Sequence, residues 1–114
     1  MSLDEYFSTG PAFERPIFEA VFEHLRGLEP LHVEALSVGI FFKRARTFAE
    51  LRPRRDRVVL SFWLSRRLLG HPRIAKTVRG TGERAAYFID LRDPADVDDQ
   101  VRDWLTEAYF ASPL

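Results

Sequence analysis

The sequence contains three histidines, His24, His32 and His71, and no cysteine. Without cysteine, a disulfide scaffold, a thiolate zinc site and a cysteine nucleophile are excluded. A catalytic histidine needs a nucleophile and an orienting acid that converge on it, and no such set surrounds these three. Ser61 and Ser65 lie in a strand-like segment without the GxSxG context of a hydrolase. We therefore find no catalytic constellation and predict that the protein is not an enzyme and uses no cofactor.

Two further patterns could bind ions, and both fail on geometry. Asp96, Asp98 and Asp99 form a DxDD cluster, but on a helix their side chains point in different directions and no glycine shapes a calcium loop. The segment GTGE at 80–83 lacks the spacing and the Lys-Ser/Thr pair of a phosphate loop. A hairpin turn explains its glycines, so we predict no metal site and no nucleotide loop.

The candidate binding residues are concentrated in one basic segment. Residues 43–84 hold eleven arginines and two lysines against three acids, a net charge of +10. Residues 1–42 and 85–114 each hold seven acids and two arginines, a net charge of −5. Arginine makes bidentate contacts with carboxylates and phosphates, and a partly exposed tryptophan beside arginines is a common interface residue. The candidate residues for binding an anion or a partner are Lys43, Arg44, Arg46, Arg54, Arg55, Arg57 and Trp63.

Helical periodicity at both ends of the chain predicts two helices. Near the N-terminus, apolar residues follow helical spacing from Phe13 to Leu28, with Pro16 in the first turn. Near the C-terminus, residues 93–112 predict one helix in which Asp93 is the N-cap and Pro94 the first residue. Its buried stripe comprises Val97, Val101, Trp104, Leu105 and Ala108.

Between these helices the apolar period changes to two, which predicts five or six short strands. In the segment 58–65, Val58, Leu60, Phe62 and Leu64 share one face, and Val59, Ser61, Trp63 and Ser65 share the other. Short connections make the pairing antiparallel. The residues 1–114 are therefore expected to form a single α+β domain, with an antiparallel sheet flanked by an N-terminal and a C-terminal helix.

The predicted packing leaves the second sheet face uncovered. If both helices pack by their apolar stripes, acids such as Glu19, Asp99 and Glu107 point away from the sheet. A helix layer then separates the two charges by more than the Debye length of about 8 Å. The basic sheet face is thus expected to stay largely unneutralised, opposite an acidic stripe of Asp96, Asp99, Asp103 and Glu107.

Three segments carry a resemblance to a known family: FFKRARTFAELRPRRDRVVLSFWL, then HPRI, then LRDPADVDDQVRDWLTEAY. With the opening SLDEYFSTGPAFERPIFEAV, the chain resembles the bacterial domain of unknown function numbered 5655 over nearly its whole length. The resemblance implies a small domain that occurs alone or fused to other modules. It implies no activity and no catalytic residues.

The sequence favours a small binding domain, and a protein-interaction module before a nucleic-acid-binding one. A protein partner or a second copy of the chain stays open, as does a nucleic acid on the basic, aromatic-bearing face. No signal peptide and no apolar run of about 18 residues is visible. We therefore predict a cytoplasmic protein that does not bind a membrane.

Overall fold

The computed structural model describes residues 1–112, in which a six-stranded antiparallel sheet carries all the helices on one face. The strands are β1 (His32–Leu36), β2 (Gly39–Lys43), β3 (Thr47–Pro53), β4 (Val58–Leu64), β5 (Lys76–Arg79) and β6 (Ala85–Leu91). The α-helices are α1 (Leu3–Phe7), α2 (Glu14–Leu25) and α3 (Asp99–Ala111), and a 3-10 helix, Pro94–Asp96, precedes α3. The strand order is β1-β2-β3-β4-β6-β5, so the predicted α+β fold class is confirmed.

Alternating burial along the strands separates two sheet faces. In β4, Val58, Leu60, Phe62 and Leu64 are fully buried, whereas Val59 and Trp63 are half-buried on the opposite face. The same alternation runs through β6, which pairs with β4 along its whole length. The period-two pattern therefore predicted the faces correctly.

Aromatic pairs attach the helices to the core face. Phe18 of α2 stacks on Phe42 with ring centroids 6.0 Å apart, and Trp104 of α3 stacks on Phe62 at 5.3 Å. Such pairs add about 0.5–1.5 kcal/mol each to the burial of their area. Among residues 1–112, these contacts place α2 and α3 on one face of the sheet and no helix packs on the other.

The N-terminal region differs from the prediction by one additional helix. Ser2 and Glu5 form a reciprocal capping box that starts α1, with Glu5 N–H donating to Ser2 Oγ at 3.1 Å. This satisfies two of the otherwise unpaired donors of a helix start. The predicted helix appears as α2, with Pro16 in its first turn.

The C-terminal helix was predicted as one continuous element, and this is wrong. Asp93 caps only the 3-10 helix, the chain leaves helical geometry at Val97, and Asp98 becomes the N-cap of α3 by accepting from Val101 N–H at 3.1 Å. Two successive caps compete here, and the second begins the longer helix. The predicted stripe is nevertheless buried throughout. Within residues 1–112, no helix is both long and apolar enough to cross a bilayer.

Candidate functional site

The face of the sheet opposite the helices is the candidate site, and we call it the open face. Strand register aligns its side chains in rows across the sheet: Ser61 lies between Glu50 of β3 and Phe88 of β6, and Phe88 lies beside Lys76 of β5. An antiparallel sheet can present one face to solvent in this way when the other is packed.

A depression of about 360 Å³ lies in the middle of the open face, and we call it the sheet trough. Its floor exists because Ser61 and Ala86 are small, while Trp63 and Phe88 rise beside them. Ser61 and Ala86 are both nearly covered, at 9% and 4% exposure. A second depression of about 200 Å³ continues the trough towards Val59 and Asp90. The trough is lined by Glu50, Arg52, Arg54, Ser61, Trp63, Lys76, Val78, Ala86 and Phe88.

Each aromatic ring of the open face lies beneath a cation. The guanidinium carbon of Arg84 is 4.3 Å from the centroid of the Trp63 ring, and Lys76 Nζ is 5.2 Å from the centroid of Phe88. Arg52 lies 5.7 Å from the Phe41 centroid. Contacts of this kind contribute about 0.5–1 kcal/mol at exposed sites, so they orient the cations along the trough.

The cations of the trough divide into paired and unpaired groups. Arg52 Nε donates to Glu50 at 3.0 Å, and Arg57 donates to both Asp90 and Asp56 at 3.0 and 2.9 Å. Hydrogen bonds from Arg57 and Arg92 lower the pKa of Asp56 below its ordinary value, and the bond from Arg57 is the larger cause.

Two cations on opposite walls of the trough are free of such partners. Among residues 1–112, no carboxylate lies within 4.0 Å of the charged nitrogens of Arg54 or Lys76. The Arg54 guanidinium donates to the neighbouring carbonyl of Pro53 at 3.2 Å, and the Arg54 backbone N–H donates to the carbonyl of Arg57 at 2.7 Å. Among the residues that line the trough, an incoming anion therefore meets unpaired positive charge at the side chains of Arg54 and Lys76.

The candidate residues predicted from the sequence fall into separate places. Arg54 and Trp63 line the trough, Arg57 lines its continuation, and Arg55 lies exposed in the turn between β3 and β4. Lys43 is on the open face but pairs with Glu34 at 3.2 Å.

Arg44 and Arg46 stand apart from the trough. Arg44 turns to the helix side, where it donates to the carbonyls of Tyr109 and Ser112 at 3.4 and 3.3 Å and lies 4.6 Å from the Tyr109 ring centroid. Arg46 is exposed in the turn between β2 and β3. The seven residues thus do not form one continuous patch.

The expectation that helix acids leave the arginines of the basic segment unneutralised is wrong in part. Arg66 makes a bidentate pair with Glu107 of α3, at 2.7 and 2.9 Å, and Arg73 contacts Asp98 at 2.9 Å. Both arginines lie in the long connection between β4 and β5, which folds towards the helices. The predicted acidic stripe is also interrupted, because Asp96 lies in the 3-10 helix and accepts from the backbone of Arg92 at 2.8 Å.

His24 and His71 are held in structural contacts, and His32 is exposed at the start of β1. His24 Nε2 lies 2.8 Å from Thr106 Oγ1, which joins α2 to α3 as a boundary histidine does, and burial lowers its pKa. His71 lies 2.9 Å from the Gln100 side chain and packs its ring edge-on against Trp104. Within residues 1–112, no group of three or more acids and histidines could hold a metal ion.

The site residues chosen from the sequence did not include five that give the trough its shape and part of its charge, although the alternation in 58–65 had placed the first of them on the face of Trp63: Ser61, Lys76, Ala86, Phe88 and Arg84. The signal available was their alternation with buried neighbours, which places them on the open face. Which of these residues are adjacent depends on the strand order, in which β6 lies between β4 and β5. The sequence pattern does not give this strand order.

A third depression, of about 230 Å³, lies on the helix side of the sheet, between α1, the start of α2 and Pro53 at the end of β3. Glu14, only 2% exposed, accepts a hydrogen bond from the Tyr6 hydroxyl there. Burial raises the pKa of Glu14 above its ordinary value, although the Tyr6 hydrogen bond opposes it. Burial also raises the pKa of Tyr6, so the phenol keeps its proton and donates. This hydrogen bond links α1 to the start of α2.

Comparison with known proteins gives one match. A family model described as Domain of unknown function (DUF5655) covers residues 3–112, so the chain belongs to this family and the resemblance noted in the sequence is confirmed. No curated protein and no solved structure matches the chain.

Proposed function

We propose that this member of the DUF5655 family is a protein-interaction module that receives its partner on the open face of the sheet. The observation that carries the proposal is the sheet trough, with its half-buried rings, its small floor residues and its unpaired cations. Interfaces are enriched in tryptophan and arginine and depleted of lysine and acids at their centre. Trp63 beneath Arg84 fits this composition.

The charge of the open face favours a protein over a nucleic acid. Phosphate binding requires many unpaired cations, because each neutralised phosphate releases counterions. Here Arg52 and Arg57 are held by carboxylates, and the rings that would stack on bases lie beneath cations. The nucleic-acid alternative, which the basic segment had suggested, therefore becomes an outcome of the test.

The test uses the protein as bait in extracts of its source organism, with and without nuclease. The Ser61→Tyr variant fills the trough floor, and the Ser61→Ala variant removes the same hydroxyl without filling it. We expect proteins that wild type and Ser61→Ala retain equally and Ser61→Tyr loses by about tenfold, since the partner side chain that would fill a central pocket is then excluded from it. Retention by all three baits, or release of the bound material by nuclease, would overturn the proposal.

A further inference from the structure

We infer that the sheet trough binds an extended acidic peptide segment that inserts one apolar side chain, an inference that rests on the proposed function and names the partner's chemistry. The dimensions come from the strands. The trough and its continuation follow β4 from Trp63 to Val59, four rises of about 3.3 Å or about 13 Å in all. A peptide of about five residues in extended conformation has the same length, so it can lie along both depressions without bending.

The charges select the sign of the peptide. Arg54 and Lys76 stand on opposite walls, and among the described residues neither has a carboxylate partner. The two acids of the trough and its continuation, Glu50 and Asp90, are already held by Arg52 and Arg57. A carboxylate entering between the walls therefore gains charge-assisted hydrogen bonds without displacing an existing ion pair.

The floor selects the apolar side chain. Ser61 and Ala86 leave a depression between the rings of Trp63 and Phe88, with Val78 on the β5 wall. Side chains of an extended segment alternate in direction, so residues two positions apart face the same side. One residue can therefore enter this depression while the residues two positions before and after it reach the cations of the walls. The combination requires acids two positions away from one leucine, isoleucine, phenylalanine or tryptophan.

The number of unpaired cations favours a peptide over a single nucleic-acid strand at this site. A strand of the same length would carry a phosphate on every nucleotide and would need free ring faces for its bases. Among the described residues, the unpaired cations of the trough are Arg54 and Lys76 in its lining and Arg84 over the Trp63 ring at its edge, and a cation lies over both of its rings. Two or three carboxylates match this supply.

The experiment is a selection from a library of random octapeptides displayed on phage, followed by fluorescence anisotropy with a labelled synthetic copy of the enriched sequence. Wild type is expected to enrich peptides in which aspartate or glutamate stands two positions from one large apolar residue. Lys76→Glu is expected to weaken binding by about tenfold or more because it replaces an attractive charge by a repulsive one. Ala86→Phe is expected to weaken it by about tenfold because it fills the depression that receives the apolar side chain. Arg26→Glu, the same charge change on the exposed end of α2, is expected to leave the affinity within about twofold of wild type, because additive effects hold for distant sites. Circular dichroism checks that each variant is folded. Because Lys76 is exposed, the Lys76→Glu variant tests the site even if Ala86→Phe does not fold.

Three outcomes would overturn the inference: enrichment without acidic residues, equal binding by Lys76→Glu and wild type, or saturable binding of a labelled octathymidylate in place of the peptides. The bait experiment with Ser61→Tyr separates this failure from failure of the proposed function. If proteins are still lost with Ser61→Tyr while no acidic peptide is selected, the partner docks by a folded surface and only the peptide inference falls. If neither experiment responds to the trough variants, both fall.

Discussion

At the residue scale, the number of arginines in a segment does not give its free charge. Arg54 and Arg57 are three positions apart, yet Arg57 holds two carboxylates and Arg54 holds none among the described residues. The difference follows from register, because β6 places Asp90 beside Val59 and within reach of Arg57. In the sequence both arginines are equivalent cations. Only the pairing of β4 with β6 shows that Arg57 has a carboxylate partner across the sheet.

The buried pair Tyr6–Glu14 gives a pH prediction at this scale. Burial raises the folded-state pKa of Glu14 above the ordinary value of 4.5. The protonated form is therefore favoured by folding, and the stabilisation present below pH 4.5 is lost as the pH rises through the folded-state value. A neutral side chain of the same shape does not lose it.

We expect Glu14→Gln to remove this part of the pH dependence, because glutamine still accepts the Tyr6 hydrogen bond and never ionises. The guanidinium midpoint of wild type, measured from pH 4 to pH 7, should fall relative to that of Glu14→Gln as the pH rises. The guanidinium midpoints of wild type and Glu14→Gln should converge near pH 4. Parallel curves with the variant less stable at every pH would show that Glu14 is not held in a neutral-favouring environment.

At the scale of elements, the turn between β2 and β3 is tied to the end of α3. Phe48 is the extra residue of a bulge at this end of the strand pair, since Phe42 pairs with Ala49 and Lys43 with Thr47. A bulge re-aims neighbouring side chains, and Phe48 meets the Tyr109 ring edge-on at 5.4 Å. Arg44 in the same turn reaches the last carbonyls of α3, where a cation is favoured by the helix dipole.

We therefore expect Arg44→Ala to destabilise the protein by about 1–2 kcal/mol, the range for a cation at a partly buried helix C-terminus. Arg46→Ala, two residues away in the same turn and exposed, should change stability by less than about 0.5 kcal/mol. Chemical denaturation of both variants measures the difference. Equal stabilities would mean that Arg44 does not cap the helix, and the peptide affinity should be the same in both variants because neither residue lines the trough.

The elements themselves were largely predictable, for reasons that differ between strands and helices. Five or six strands were predicted, and the described residues form six. In β4 and β6 burial alternates along the strand as a period of two predicts, whereas β5 is exposed along its whole length. The break before α3 was missed because both Asp93 and Asp98 are good caps, and a sequence does not say which one begins the long helix. The helix α1 was missed because its five residues are too few to show a period.

At the scale of the whole molecule, the net charge of zero is distributed through ion pairs rather than as two opposed faces. Arg66 and Arg73 link the β4–β5 connection to α3, which consumes acids that the helical wheel had directed to solvent. Long arginine side chains span the distance that a layer model assigns to solvent. The distribution of charge along the sequence therefore located the basic segment correctly. It did not predict that acids at the start and in the body of α3 pair with arginines of that segment.

The trough is the feature of the whole molecule that no segment contains. It requires Ser61 and Ala86 to be small, Trp63 and Phe88 to stand beside them, and β3 and β5 to supply walls from segments more than twenty residues apart. Its position on the face without helices explains why an unpaired Arg54 and Lys76 persist there. We propose that a protein covers this trough in the cell.

The most direct measurement is photo-cross-linking in living cells with p-benzoylphenylalanine at Val78, on the trough wall, and at Glu23, on the outer surface of α2 as a control. Val78 is 39% exposed, so the substitution leaves Trp63 and both unpaired cations in place. We expect an adduct between this protein and a partner at position 78, which protease removes and nuclease does not, and no adduct at position 23. A nuclease-sensitive adduct at position 78, or equal adducts at both positions, would contradict it.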